Sequence, residues 1–268
     1  MDILLDLGEL AIVVAFALLA IKARALDRGG FLASVAVGYA IFLGGGWAWF
    51  VIIMSFFILG VATTLFRYEY KKSIGTAQEK GGARSWPNIL ANGGIAAVFG
   101  LAELAFGGSA FALLYIGAMS AAASDTVATE LGLLSKSVPR LITRFGARVP
   151  PGTSGGVTEL GLLGTIVAAA AIGTIAAVLG VVQGVPPYEV VFVATMGGIV
   201  GSIADSVIGA TVQRKSVCIV CGKATESLIH CGQPTRRQSG VVHIDNNIVN
   251  LLATIVGAAA SLALALVL

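Results

Sequence analysis

Apolar residues in this chain come in eight long runs, at about 3–21, 29–44, 46–66, 88–106, 109–134, 157–182, 188–211 and 246–268. Most reach the roughly 20 residues a helix needs to cross a bilayer. The runs do not alternate, and open sheets cannot sit in lipid, so a strand reading fails. The second run is the shortest. It ends at Gly44-Gly45-Gly46, which makes a tight turn, and Trp47 and Trp49 beside it read as interfacial aromatics. The pattern predicts an all-α, polytopic transmembrane helix bundle of about eight spans, a single integral membrane domain over 1–268. The run 3–21 lacks a basic leader and reads as a span, not a cleaved signal.

Composition sharpens the exclusion. Of 268 residues, 57% are hydrophobic and 12% charged, with a mean hydropathy of +0.92. Soluble domains carry about 25% charged residues. An ordinary soluble enzyme, a disordered chain and a nucleic-acid reader are thereby ruled out. Net charge is +3, but position matters more than the sum. All 17 Lys and Arg residues fall in alternate loops: 22–28, 67–84, 136–148 and 214–237. Positive charge stays on the cytoplasmic side. That rule puts these four loops in the cytoplasm and both termini outside. The outer connections are short and the cytoplasmic loops long, so the working face is cytoplasmic.

Acids inside a span are costly and point to function. Asp125, Glu130 and Asp205 lie in the cytoplasmic halves of their spans, with Glu159 opening the sixth. Gly198, Gly201, Asp205 and Gly209 share one face, and Ala118, Ala121, Asp125 and Gly132 make a similar one. Small residues let helices approach closely, so both aspartates point to the protein interior. Asp125 and Glu130 are five apart, roughly 140° around a straight helix. Either the helix is irregular near Gly132 or Glu130 meets another helix. Thr126, four before Glu130, shares its face. Hard carboxylate oxygens suit Mg²⁺ bound to nucleotide phosphates. Interhelical hydrogen bonding or an ion relay would use the same acids. Ser124-Asp125-Thr126-Val127 and Ala204-Asp205-Ser206-Val207 echo one another, though four residues make a weak repeat.

The polar loops add donors. Lys71 and Lys72 read as solvated positive-inside charge, whereas Lys80, Arg84, Asn88 and Asn92 at the foot of a helix fit an anion site. Thr153-Ser154-Gly155-Gly156 opens into a helix and offers backbone amides to a phosphate, without the Gly-Lys-Ser/Thr of a Walker A loop. As a bare pattern it is equally a turn. Cys218, Cys221, His230 and Cys231 in the loop 212–245 could hold a structural Zn²⁺ as a small insert, with His243 spare. Reduced cytosolic thiols are the alternative. Asn246, Asn247 and Asn250 carry amides into the last span.

These stretches resemble a known family. Leu26–Gly30, Asn88–Gly94, Ser124–Gly132, Pro150–Glu159, Gly201–Gln213, the Cys/His loop and Asn246–Asn250 match, in order, the membrane family of transmembrane protein 19 and phytyl-phosphate kinase, a DUF92-like group. The most specific segments are Asp-Thr-x-Ala-x-Glu-x-Gly and Gly-Ser-x-x-Asp-Ser-x-x-Gly-Ala-Thr. The family is distantly similar to CTP-dependent polyprenol kinases. The resemblance implies a kinase that converts an isoprenoid monophosphate to its diphosphate, with CTP or another nucleoside triphosphate as donor. It implies Mg²⁺ on Asp125, Glu130 and Asp205, and phosphates on Lys80, Arg84 and 153–156. Lys22, Asp27, Thr126, Glu159, Ser206 and the three asparagines would complete the site. Membrane lipid, isoprenoid phosphate and nucleotide are the expected partners, in a prokaryotic plasma membrane; the oligomeric state stays open. A prenol kinase, a cytidylyltransferase and a lipid-phosphate translocator are the rival readings.

Overall fold

A computed structural model describes residues 3–268, apart from the side chains at 3–6, 79 and 224; Met1 and Asp2 lie outside the described residues. The long helices are α1 (Ile3–Lys22), α2 (Arg28–Leu65), α4 (Trp86–Phe106), α5 (Ser109–Gly132), α6 (Glu159–Val178), α7 (Pro187–Thr211) and α8 (Asn246–Ala265), with a short α3 (Tyr68–Ser73). Among the described residues, six helices, α2 and α4 to α8, are long and apolar enough to cross a membrane.

α2 is not one rod. Gly46 has φ 60° and ψ −155°, outside the helical region. Residues on either side of it meet again: Ser34 lines the same wall as Met54 and Phe57. Val37 and Ile53 both face Gly93. The chain therefore reverses at the glycine turn, and arms 28–45 and 47–65 run antiparallel. A Cβ at Gly44 would stand 1.9 Å from the Gly100 carbonyl oxygen, so the turn itself packs on α4. The two tryptophans part company here. Trp47 is exposed, but Trp49 is 3% exposed. It stacks on Tyr115 at 4.1 Å between ring centroids, and its carbonyl accepts the Tyr115 hydroxyl. Trp49 is therefore a core residue and not an interfacial one.

α5 is the buried axis and touches α2, α4, α6, α7 and α8. Glycines make the closest approaches. A Cβ at Gly257 would lie 2.5 Å from Ala121 Cβ, 2.9 Å from the Gly197 carbonyl and 3.0 Å from that of Gly117. α5, α7 and α8 thus meet backbone to backbone. Helix starts are capped by side chains: Asp27 accepts from Gly30 N–H, Thr158 from Gly161 N–H and Asp245 from Ile248 N–H.

The long loops are not simply irregular, as an all-helical reading would leave them. β1 (Arg140–Leu141), β2 (Arg144–Arg148) and β3 (Gly156–Val157) form an antiparallel sheet in the order β2-β1-β3. In the loop before α8, β4 (Lys215–Val217) lies between β5 (Ala224–Thr225) and β8 (Arg236–Ser239). β6 (Ile229–His230) and β7 (Gln233–Pro234) form a separate hairpin. The four basic loops touch one another. Asp27 N–H bonds the Arg84 carbonyl, Lys223 bonds the Gly75 carbonyl, and Ser154 bonds Glu226. They gather on one end of the bundle.

Candidate functional site

The centre of the site is a meeting of two helices. The small-residue faces of α5 and α7 close on each other, with Gly201 against Ala121 and Gly198 against Ser124 and Ala169. That approach sets the Asp125 and Asp205 carboxylates beside each other, close enough for each to act on the other. Among the described residues, no lysine or arginine pairs with either one. Two carboxylates so placed need a shared proton or a cation between them. Around them the polar groups are ordered. The Asn250 amide, with its nitrogen turned inward, donates to Asp205 Oδ2 at 3.0 Å and to the Asn246 carbonyl at 3.0 Å. Ser124 donates to the Thr165 carbonyl at 3.0 Å, and Thr165 meets Ser202 at 3.4 Å.

The loop between α5 and α6 covers the end of α7. Gly155, at φ +79°, lies so close that a Cβ would be 2.6 Å from the Ser206 carbonyl and 2.5 Å from Ala210 Cβ. Ser154 Oγ donates to Glu226 Oε1 at 2.6 Å. Glu226, on the loop between α7 and α8, thus stands at this end of α7, close enough for its charge to reach Asp205, and sequence reasoning missed it. Part of the expected phosphate cradle is already used. Thr153 N–H and Oγ both donate to the Pro150 carbonyl, and Gly156 N–H donates to that of Thr153. Beside Gly155 lies Gln213, 2% exposed, whose Nε2 has no partner among the described residues.

Glu130 does not join the aspartates. Its carboxylate accepts from Lys71 Nζ at 2.6 Å and from Thr64 Oγ at 3.1 Å. Lys71 is 1% exposed and also donates to the Thr63 and Thr64 carbonyls, which close the end of α2. So Lys71 is a buried ion-pair partner, not solvated loop charge. The 140° offset along α5 is resolved by Glu130 meeting the α2–α3 corner. The ammonium already neutralises it, which removes it from the expected Mg²⁺ set.

Next to this pair lies Arg84. Its guanidinium approaches Gly60 on the side where Thr126 also packs, and donates to Asn88 Oδ1 at 3.1 Å. Asn92 donates to the Asn88 carbonyl. Arg84, Asn88 and Asn92 line a cavity of about 50 Å³. This cavity shares Ser34, Met54 and Phe57 with an apolar cleft of about 380 Å³ between α1 and α2. The cleft ends at Ala25 and Leu26, beside the Asp27–Lys80 ion pair (2.8 Å). The Lys80 ammonium and the Gly30 amide hold the Asp27 carboxyl below the usual carboxylate range. Lys22, Glu159 and Asn246 are exposed, and Asn247 is half-buried.

The four Cys/His residues come together. Their donor atoms all lie within 4.8 Å of one another, and His243 is not among them. The Cys221 backbone N–H brings the Cys218 thiol down to about 6. Hydrogen bonding to Cys221 and neighbouring thiols pushes Cys231 up to about 11.

Comparison with known proteins bears on the whole bundle. The family model described as "Integral membrane protein DUF92" matches residues 11–258. A membrane protein of Methanocaldococcus jannaschii is 34% identical over 250 residues, covering 93% of this chain and 90% of its own. Two Arabidopsis thaliana proteins also match. Protein PGR is 29% identical, covering 87% of this chain and 86% of its own. Protein VTE6, chloroplastic, is 27% identical, covering 71% of this chain and 57% of its own. No solved structure matches the chain.

Proposed function

The chain belongs to the DUF92 family of integral membrane proteins, and from that premise we propose that it is a membrane kinase. It transfers the γ-phosphate of a nucleoside triphosphate, preferably CTP, to an isoprenoid monophosphate of the phytyl or geranylgeranyl type. One observation carries the reading. Asp125 and Asp205 lie together inside the bundle, and among the described residues no lysine or arginine pairs with either. That donor set of hard oxygens fits Mg²⁺, which Asp125 and Asp205 would hold, with the charge of Glu226 nearby. When bound, the ion neutralises phosphate charge.

The chain's own residues do the rest. The apolar cleft takes the prenyl tail, and Arg84 links that cleft to the Thr126 side of α5. Arg84, Asn88 and Lys80 bind phosphate oxygens as charge-assisted donors. Ser154 and Gln213 Nε2, which has no partner among the described residues, serve the other phosphate group. An oxygen of the lipid phosphate attacks the γ-phosphorus, a new P–O bond forms, and the β,γ-bridging bond breaks to release the nucleoside diphosphate. The nucleophile is already an anion, so positioning and charge neutralisation suffice without a strong base. The loops 22–28, 67–84, 136–148 and 214–237 face the cytoplasm. α1, the two arms of α2 and the five other long helices make eight crossings, with both termini outside and the site at a prokaryotic plasma membrane's inner face.

The test uses purified protein in detergent with Mg²⁺, geranylgeranyl monophosphate and each nucleoside triphosphate in turn, with lipids resolved by mass spectrometry. A diphosphate product lost in Asp125→Asn and Asp205→Asn is expected. A CDP-lipid would point to a cytidylyltransferase, and phosphorylation of free prenol to an alcohol kinase. Folded protein that makes no product from either lipid with any nucleotide would overturn the reading in favour of translocation.

A further inference from the structure

The loop between α7 and α8 holds a second cluster, apart from the membrane acids. We propose that Cys218, Cys221, His230 and Cys231 bind one Zn²⁺, and that this ion pins the intervening segment so that Glu226 is held on Ser154 at the end of α7. The zinc site stands on its own geometry; only the role given to Glu226 rests on the kinase reading.

The four donor atoms lie within 4.8 Å of one another. Cys221 Sγ is 3.6 Å from His230 Nδ1, and Cys231 Sγ is 3.3 Å from it. Bonds of about 2.3 Å to sulfur and 2.0 Å to nitrogen give a tetrahedron with edges of roughly 3.5–3.8 Å. The cluster is therefore sized for a single ion. Three thiolates and an imidazole leave no open position, which marks a structural site.

Local chemistry explains why the sequence builds it. Cys218 carbonyl accepts Gly222 N–H at 3.0 Å, and Cys218 Sγ accepts Val220 N–H at 3.4 Å. These bonds curl the chain into a knuckle that aims both sulfurs inward, and Gly222 closes it at φ 71°. The second pair sits on a hairpin. Cys231 and Gly232, at φ 52° and 73°, make a two-residue turn of the type that joins β6 to β7. Cys231 therefore accepts a left-handed backbone that a non-glycine residue rarely adopts. A bound ion would compensate that strain.

The consequence concerns residues 222–229, which run from one ligand pair to the other. Glu226 lies in the middle. Its carboxylate accepts Ser154 Oγ at 2.6 Å, and its carbonyl accepts Arg214 Nε at 3.1 Å. Eight residues held by short strands and a few side-chain hydrogen bonds are costly to order. A metal fixing both ends removes most of that cost, because binding free energy becomes folding free energy.

The experiment takes the full chain purified in detergent without chelator and measures metal by plasma mass spectrometry. One zinc per chain is expected, falling below about 0.2 in both Cys221→Ser and Cys231→Ser. Both positions are exposed, so folding is checked by gel filtration and does not hinge on them. Trypsin then reads the segment. Removing zinc should speed cleavage at Lys223, Arg236 and Arg237 by roughly 10-fold, while cleavage in the loop 136–148 stays unchanged. Protein that holds iron, or holds no metal and gains none on zinc addition, overturns the site. Zinc retained equally by both variants also overturns it. Zinc loss without faster cleavage overturns the pinning role. None of these results depends on kinase activity, so failure here and failure of the kinase reading are distinguishable.

Discussion

Asp125 and Glu130 stand five residues apart on one helix, both acids inside an apolar bundle, and their surroundings divide them. Glu130 has a lysine at 2.6 Å, a threonine hydroxyl, and almost no exposure. Asp125 has the Asp205 carboxylate beside it and, among the described residues, no lysine or arginine partner. A buried acid with its counter-charge built in holds helices in place. A buried acid facing a like charge gains from an ion that arrives from outside. The comparison assigns structure to one acid and ligand binding to the other, although sequence gives both the same appearance.

The largest effect should come from breaking the neutralised pair. Lys71→Ala leaves the Glu130 carboxylate buried without its partner. Loss of one member of a buried pair costs about 3–5 kcal/mol. Thermal unfolding in detergent should show a large drop in Tm. The double variant Lys71→Met/Glu130→Gln removes both charges and should recover most of the loss, while keeping phosphotransfer within about 10-fold of the parent. A double variant no more stable than Lys71→Ala would show that the pair is not the linking element.

Asp125→Asn should behave oppositely. It keeps the side-chain shape and removes one of two neighbouring like charges, so Tm should hold or rise. Diphosphate formation should fall by about 100-fold or more, a loss of about 2.7 kcal/mol in transition-state stabilisation. An asparagine variant that unfolds but keeps its turnover per folded molecule would reverse the two assignments.

A third expectation separates the acids without any lipid substrate. An ion that binds only the folded state stabilises it by about 2.7 kcal/mol at 100 times its dissociation constant. Mg²⁺ should raise the Tm of the parent and of Lys71→Met/Glu130→Gln alike, and leave Asp205→Asn unmoved. Equal shifts in all three would place the cation elsewhere.

Why one acid could be read from sequence and the other not follows from their neighbours. Lipid demands long apolar runs, so the helices and the turn at Gly44–Gly46 were legible. Gly198 and Gly201 mark the face of α7 that approaches α5, so the inward pointing of Asp125 and Asp205 was legible too. Lys71 was not. It stands beside the exposed Lys72 on a helix of six residues, entered through a left-handed Arg67 at φ 53°. That corner alone turns its ammonium back into the bundle. Glu226 was hidden for a similar reason. Its place depends on β4–β5 pairing and on Arg214, and strands of two or three residues carry no readable alternation. Trp49 gives no sign of its burial in the sequence, because a turn inside a hairpin and a turn at the lipid surface look alike until Tyr115 stacks on the ring.

The smallest effect belongs to a third acid, Asp27, whose partner is exposed. Lys80 pairs with it at 2.8 Å, but the lysine side chain is 61% exposed, and such pairs contribute about 0–1 kcal/mol. Asp27 also caps α2 through Gly30 N–H at 2.8 Å. Asp27→Asn removes the charge and keeps a capping oxygen, whereas Asp27→Ala removes both and should cost about 1 kcal/mol more. The sign with pH is fixed by the lowered carboxyl. Its contribution is complete above the ordinary aspartate value of about 3.9 and is lost as pH falls through the depressed folded value. Hydrogen exchange in the peptide 24–32 should therefore stay slow down to about pH 4, accelerate below it, and rise with salt as the pair is screened. The Glu130 peptide should not respond to salt, because its lysine is buried with it. A salt response of equal size in both peptides would erase the distinction between a pair that water can reach and one that it cannot.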